Sequence, residues 1–491
     1  MRGPAALAAV GAAAHMICRV AFVAEGRFFA SEDDPYRAYT AFLIRDDPSR
    51  LIGRLWVLGF EACHAFFQWF GVPARWSGIC VNAFAFAALL VGLVRIMGHV
   101  APRRAALKWC VAALLLASPM TITLAHSSLS DLLAVALIVW AAEGFASYVD
   151  SGDLNAIARA AGLLGIATWV RYEPWLHAAL LVPAAVFVEW RVLRRRRPGA
   201  PALAALAWLG PIAWLVAQQL HFGDPFHFYT NMVETAETIS GPPARLEVVA
   251  THARSALQWF PHVLLLAGLA WAFRRDALSP KATWFFTVVL SLAVTGQILS
   301  GHQHATFPAR LSYWIEIALL PWAAAGLDWC LQNRLRSMVA IAALLFAFTA
   351  LRPAAMQDRD SVAFGLSLLR SNETIPSQAK LLVERPLQRP PFGWASVGVL
   401  WGHWEQTVWV TPQPGGWTVV EATAVRAPLE LTEDGFRDWL DRTTVHGAWT
   451  VSDRMLEVLT AGWPCAESVP YGLHHRLHNV PASVCHPPLE R

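Results

Sequence analysis

Residues 76–97 read WSGICVNAFAFAALLVGLVRIM, an apolar run whose one charge is Arg95. A helix of this length, rising about 1.5 Å per residue, spans the roughly 30 Å hydrocarbon core of a bilayer. The same signature recurs outward from it. An Ala-rich run precedes it at Ala5 to Ala24. Further runs follow at Ala106 to Leu124, Leu129 to Val149, Ile157 to Val170, Trp175 to Trp190, Pro201 to Leu220, Ala256 to Phe273, Ala282 to Leu299, Leu311 to Leu331 and Met338 to Ala350. These windows predict a mainly α, polytopic membrane protein with about 11 transmembrane helices. Composition agrees: the 491 residues are 56% hydrophobic and 15% charged, against about 25% charged in soluble domains. Mean hydropathy is +0.40. A disordered, collagen-like or disulfide-dense secreted chain is excluded. The net charge of +4 is mild and its basic residues are scattered through short loops, so nucleic-acid binding gains no support.

Orientation follows from those basic loops, because short Lys/Arg-rich connections stay cytoplasmic. Arg103, Arg104 and Lys108, the quartet Arg194 to Arg197, the group Arg274, Arg275 and Lys281, and the pair Arg334 and Arg336 all fall on one side if every span is real. The N-terminus is then inside, and the first long loop and everything after the last span are outside. That first loop mixes arginines with acids, and long loops follow the charge rule poorly. The Ala-rich run carries His15 and Arg19 and lacks a cleavage-site end, so it reads as a span rather than a signal peptide.

From about Ala355 charges of both signs, Pro and Gly return. The expected division is a membrane domain over 1–354 and a small extracytoplasmic α/β domain over 355–491. Lys380 to Glu384, Trp417 to Ala422 and Ala448 to Ser452 read as buried strands, and Glu433 to Arg442 and Asp453 to Leu459 as helices. Cys465 and Cys485 stand apart from the other five cysteines, and a disulfide between them would suit an oxidising compartment. His474, His475 and His478 have no zinc-ligand spacing.

Four polar segments interrupt the apolar pattern, all on the predicted outer side. The first, SEDDPYRAY over 31–39, sets Glu32, Asp33 and Asp34 before Arg37. Three carboxylates at a membrane border need water, cations or donors to compensate them. They can take a proton from a hydroxyl or amine, or hold a divalent cation against a phosphate; a solvated acidic helix start is the structural alternative. The second, WVRYEPW over 169–175, offers Arg171, whose fork of donors matches phosphate oxygens, with Tyr172 and with Glu173 to orient it or bind a sugar hydroxyl. The third, GHQHATFPARLSYW over 301–314, contains His302 and His304, two metal-ligand types without a third, and Arg310 and Tyr313 at the start of a late span. The fourth, HFGDPFHFY over 221–229, places Asp224 in a turn among aromatic rings. Interruptions so concentrated on one side mark a reaction centre there.

The layout resembles the GT-C superfamily of integral-membrane glycosyltransferases, in the bacterial branch of protein mannosyltransferases and lipid A aminoarabinose transferases. SEDDPYRAY, RYEPW, FGDPFHFYTN, FPARLSYW and the soluble C-terminal domain carry the resemblance. It implies a sugar donor linked to polyprenyl phosphate or diphosphate, a glycan, lipid or protein acceptor, and an inverting displacement at the outer face. It places the acceptor-side base or metal ligand on Asp33, with Asp34 as its neighbour, and leaves room for a divalent cation. The matching phosphate candidates are Arg171 and Arg310. No second acidic motif of the oligosaccharyltransferase kind and no WWD-type signature is present, which argues against transfer to asparagine. The rival class is a lipid or glycolipid transporter, which would use in-span acids such as Asp131, Glu143 and Glu316. A noncatalytic assembly subunit is the third reading.

Overall fold

In the computed structural model the described residues are 11, 13, 15, 33–52, 57–102, 104–195, 198–240, 245–273, 278–279, 310, 312–333, 337, 380–384, 407–421, 429–442, 445–450, 465–471 and 480–485. They form two compact units. The first takes its described residues from Met1–Ile17, Asp46–Cys63 and Ile79–Pro353, the second from Cys18–Arg45, His64–Gly78 and Ala354–Arg491.

Fourteen helices are labelled here among the described residues. They are α1 (Asp33–Asp46), α2 (Gly59–Trp69), α3 (Ala74–Val100), α4 (Ala105–Ala117), α5 (Pro119–Ala125), α6 (Asp131–Ser151), α7 (Leu154–Val170) and α8 (Glu173–Phe187). Then come α9 (Gly199–Phe222, with a tighter turn inside), α10 (His227–Ser240), α11 (Arg245–Trp259), α12 (Pro261–Phe273), α13 (Tyr313–Leu331) and α14 (Glu433–Arg442). Among the described residues five segments are long and apolar enough to cross a membrane: Trp76–Val100, Asp131–Ser151, Glu173–Val192, Gly199–Phe222 and Tyr313–Leu331. The chain is thus a multi-pass membrane protein.

Two expected spans are not straight. The run Ala106 to Leu124 divides into α4 and α5, bent by 65°, and the run ending at Phe273 divides into α11 and α12, bent by 92°. Proline causes both: with no N–H and a ring that clashes one turn back, Pro119 and Pro261 start new helices. Ser118 caps the first break, its hydroxyl accepting the Thr121 N–H at 3.0 Å. Leu154–Val170 is a shorter apolar helix than a full span. The expected spans Ala5 to Ala24, Ala282 to Leu299 and Met338 to Ala350 lie wholly or mostly outside the described residues.

Helices α12 and α13 pack closely at small residues, as membrane helices do without a hydrophobic force between them. A Cβ added at Gly326 would lie 2.0 Å from the Leu266 carbonyl oxygen, so the two backbones meet there. Gly326→Ala should cost about 1–3 kcal/mol by forcing the helices apart, read as an earlier thermal unfolding transition in detergent. An unshifted transition would mean that α12 and α13 do not touch at this point.

The polar groups of the first unit separate to opposite ends of its helices. At one end His99 Nδ1 meets Asp150 at 2.7 Å, and Lys108 and Arg195 flank Gly98 and Gly152. Nearby, Glu143 is enclosed and held by Arg95 Nη2 at 2.9 Å and Arg159 Nη2 at 2.6 Å. At the other end lie the starts of α6, α8 and α13. Lys108 and Arg195 therefore sit at the end of the first unit opposite Arg171, Glu173 and Tyr313.

In the second unit a seven-stranded sheet runs β4-β3-β2-β1-β5-β7-β6. Its strands are β1 (Lys380–Glu384), β2 (Thr407–Gln413), β3 (Gly416–Glu421), β4 (Leu429–Thr432), β5 (Val445–Thr450), β6 (Cys465–Tyr471) and β7 (Val480–Cys485). Strand β1 is parallel to β2 and β5, and the other pairs are antiparallel. Gly415, at φ +83°, closes the two-residue turn between β2 and β3 in a conformation that favours glycine. Trp417 stacks on Phe436 of α14 with centroids 4.8 Å apart, and its indole N–H reaches Glu433 at 3.1 Å. Strand β1 and helix α14 have the residues read from sequence; β3 and β5 begin earlier than expected, and Asp453 to Leu459 lies outside the described residues. Cys465 is the register partner of Cys485.

Candidate functional site

The centre of the first unit's candidate site is Arg171. Helix α7 ends at Val170 because Arg171 turns to an extended backbone, its N–H still bonding Ala167 O at 3.1 Å. After Tyr172, Glu173 and Pro174 open α8, with proline's fixed φ suited to a first turn. The two-residue break brings Arg171 and Glu173 side by side. Arg171 donates through Nε to Glu173 Oε2 at 2.9 Å and through Nη2 to Oε1 at 2.6 Å. Its Nη1 lies 2.9 Å from Asp131 Oδ1, an ion pair, and 3.4 Å from Ser130 Oγ. Asp131 opens α6 and is fully buried. One guanidinium thus sits between two carboxylates, one negative charge in excess when both are ionised.

A second group adjoins it. Tyr313, fully buried at the start of α13, receives a hydrogen bond from the Thr121 hydroxyl at 3.1 Å. Asp131 and Glu316 are electrostatic neighbours of its phenol, and Ser118 is the polar neighbour of the enclosed Glu316. Arg310 is buried just before α13, and Ser312 meets His252 Nδ1 at 2.9 Å.

The second and fourth sequence segments meet through their aromatic residues. Tyr172 stacks on Phe228 at 4.8 Å, Trp175 lies 5.7 Å from the same ring, and Trp214 and Trp169 complete the cluster. Burial pushes the Tyr172 phenol up, a shift the Trp214 side chain partly opposes. Asp224 is used by its own turn, accepting the Phe226 N–H at 2.9 Å.

In the second unit α1 begins at Asp33. Asp34 and Arg37, one turn apart, are both buried and share the inward face with Ala38 and Ala41. Gln68 of α2 fastens that face, donating to Ala38 O at 3.4 Å and to Ser77 Oγ at 3.2 Å, while Trp69 donates to Arg45 O at 3.0 Å. Burial, then the charge of Arg37, depress His64 to about 3, so this imidazole is neutral at physiological pH.

Of the sequence candidates, Arg171, Tyr172, Glu173, Asp224, Arg310 and Tyr313 belong to the first unit, and Asp33, Asp34 and Arg37 to the second. Glu32, His302 and His304 lie outside the described residues. Sequence reading missed the partnership of Asp131 with Arg171, the Thr121–Tyr313 hydrogen bond and the His252–Ser312 contact. The Ser-Asp pair at 130–131, opening an apolar run, was the available signal for Asp131. Of the three in-span acids that counted toward a transporter, Glu143 is clamped by two arginines and Asp131 is paired with Arg171, while Glu316 is fully buried at the start of α13. Among the described residues no group of three or more His, Cys, Asp or Glu side chains is placed to hold a metal ion.

The chain combines a bundle of membrane helices that carries a polar, carboxylate-rich end with a mixed sheet that follows it in sequence. Two solved structures share this fold. One is ArnT from Cupriavidus metallidurans bound to undecaprenyl phosphate, at TM-score 0.54 and 14% identity, covering 87% of this chain and 86% of that one. The other is the same protein in the apo state, at TM-score 0.56 and 13% identity, covering 96% and 97%. At these identities the likeness establishes the fold. No protein-family model and no curated protein matches the chain.

Proposed function

We propose that this protein is a membrane glycosyltransferase that moves a sugar from a polyprenyl-phosphate carrier to a glycan, lipid or protein acceptor. The observation that carries the reading is the likeness, over nearly the whole chain, to a protein crystallised with undecaprenyl phosphate. In the proposed reaction the acceptor's hydroxyl or amine loses its proton to Asp33 or Asp34 and attacks the anomeric carbon with inversion. The bond to the carrier's phosphate breaks, and the lipid phosphate departs with the electron pair. Arg171 and Arg310 are the proposed partners of that phosphate, since preorganised cations stabilise charge that develops on a leaving group. The reaction is proposed for the outer face of a bacterial inner membrane, with residues 355–491 as an extracytoplasmic domain that recognises the acceptor or covers the site. A divalent cation beside the carboxylates is compatible with the chemistry.

The test is transfer of radiolabelled sugar from a panel of polyprenyl-phosphate donors to a membrane extract by the purified protein. Donor-dependent labelling of an acceptor is expected. Folded protein that labels nothing across the panel would end the glycosyltransferase reading and favour lipid transport.

A further inference from the structure

Arg171 is held by partners of two kinds. Asp131 belongs to another helix and is fully enclosed. Glu173 is two residues away in sequence, its side chain is 15% exposed, and it takes the Nε and Nη2 edge of the guanidinium with both oxygens. That edge is the one a phosphate would use, because carboxylate and phosphate oxygens present the same paired acceptors to the arginine fork. The two carboxylates differ in what their release would cost. Freeing Asp131 would strand a buried charge, whereas Glu173, at the rim of the α7–α8 connection, can turn toward water. Exchanging Glu173 for one phosphate negative charge also leaves the local charge unchanged.

We propose that Glu173 occupies the anion-binding edge of Arg171 in the ligand-free protein and yields it to the phosphate of a polyprenyl lipid, acting as a built-in competitor that sets carrier affinity. Asp131 keeps its place throughout and anchors the guanidinium. The inference rests on the glycosyltransferase reading for the identity of the ligand. It reverses the expectation that Glu173 binds substrate, because a competitor and a ligand give opposite signs on removal.

The experiment is equilibrium binding of radiolabelled undecaprenyl phosphate to the purified full chain in nanodiscs, for wild type, Glu173→Gln and Glu173→Ala. Undecaprenol measures what the tail alone contributes, and inorganic phosphate competition shows whether the head group alone suffices. Losing a charge-assisted pair from the competing side should tighten binding of the phosphate lipid about tenfold in Glu173→Ala. Glu173→Gln should gain less, and undecaprenol binding should not change. If wild type binds the phosphate lipid but both variants bind it equally or more weakly, with unchanged melting behaviour, the competitor idea is overturned while the carrier reading stands. If wild type shows no saturable preference for the phosphate lipid over undecaprenol, the carrier reading itself falls.

Discussion

Asp34→Asn is expected to lower the turnover of sugar transfer by about 10²- to 10⁴-fold, the range that a positioned proton acceptor supplies. Position 34 is not the solvated acidic cap that its sequence context also allowed. Asp34 and Arg37 are both buried on the inner face of α1, a helix tied to α2 through Gln68 and Trp69. Asn keeps the shape and removes the basic oxygen, so the chemistry should suffer more than the packing. Asp33, to which the family resemblance assigns the base, opens the same helix, and Asp33→Asn is the matched comparison. The carboxylate that takes the proton should lose turnover with little change in the apparent KM for the donor. A purely structural Asp34 would instead lower the melting temperature and the amount of active protein, leaving turnover per folded molecule intact. Wild-type turnover in both variants would move the base elsewhere in the chain.

How much of this was legible in sequence depended on distance along the chain. Local pattern found the span at Trp76 to Met97, the strand Lys380 to Glu384 and the helix Glu433 to Arg442, because hydropathy, alternation and charge act over neighbouring residues. It passed over the breaks at Pro119 and Pro261, since an average over about twenty residues hides one proline inside an apolar run. The Arg171 and Glu173 pair could be anticipated from two residues' separation. Asp131 could not, because the contact spans forty residues of sequence and only the packing of α6 beside the α7–α8 connection creates it. The same residue, read as an in-span acid, had counted toward a transporter. The aromatic contacts that bring Phe228 onto Tyr172 are likewise long-range and left only a turn signal in the sequence.

Arg171→Ala is expected to destabilise the protein by about 3–5 kcal/mol, the cost of breaking a buried ion pair by removing one partner. The argument is the asymmetry of what remains. Asp131 is enclosed at the start of α6, and with the guanidinium gone its buried charge loses its ion-pair partner. Glu173, nearer the rim, can recover water and adds less to the loss. Arg171→Lys keeps the charge without the fork, so it should recover part of the stability and little of any phosphate binding. Combining Arg171→Ala with Asp131→Asn removes both members of the enclosed pair and should be less destabilising than the sum of the single changes, since the stranded charge disappears. Chemical denaturation of the four proteins in one detergent reads this directly. Strict additivity would show that the 2.9 Å ion pair contributes nothing to stability, and Asp131 would then not be the anchor that keeps Arg171 in place while Glu173 yields to a phosphate.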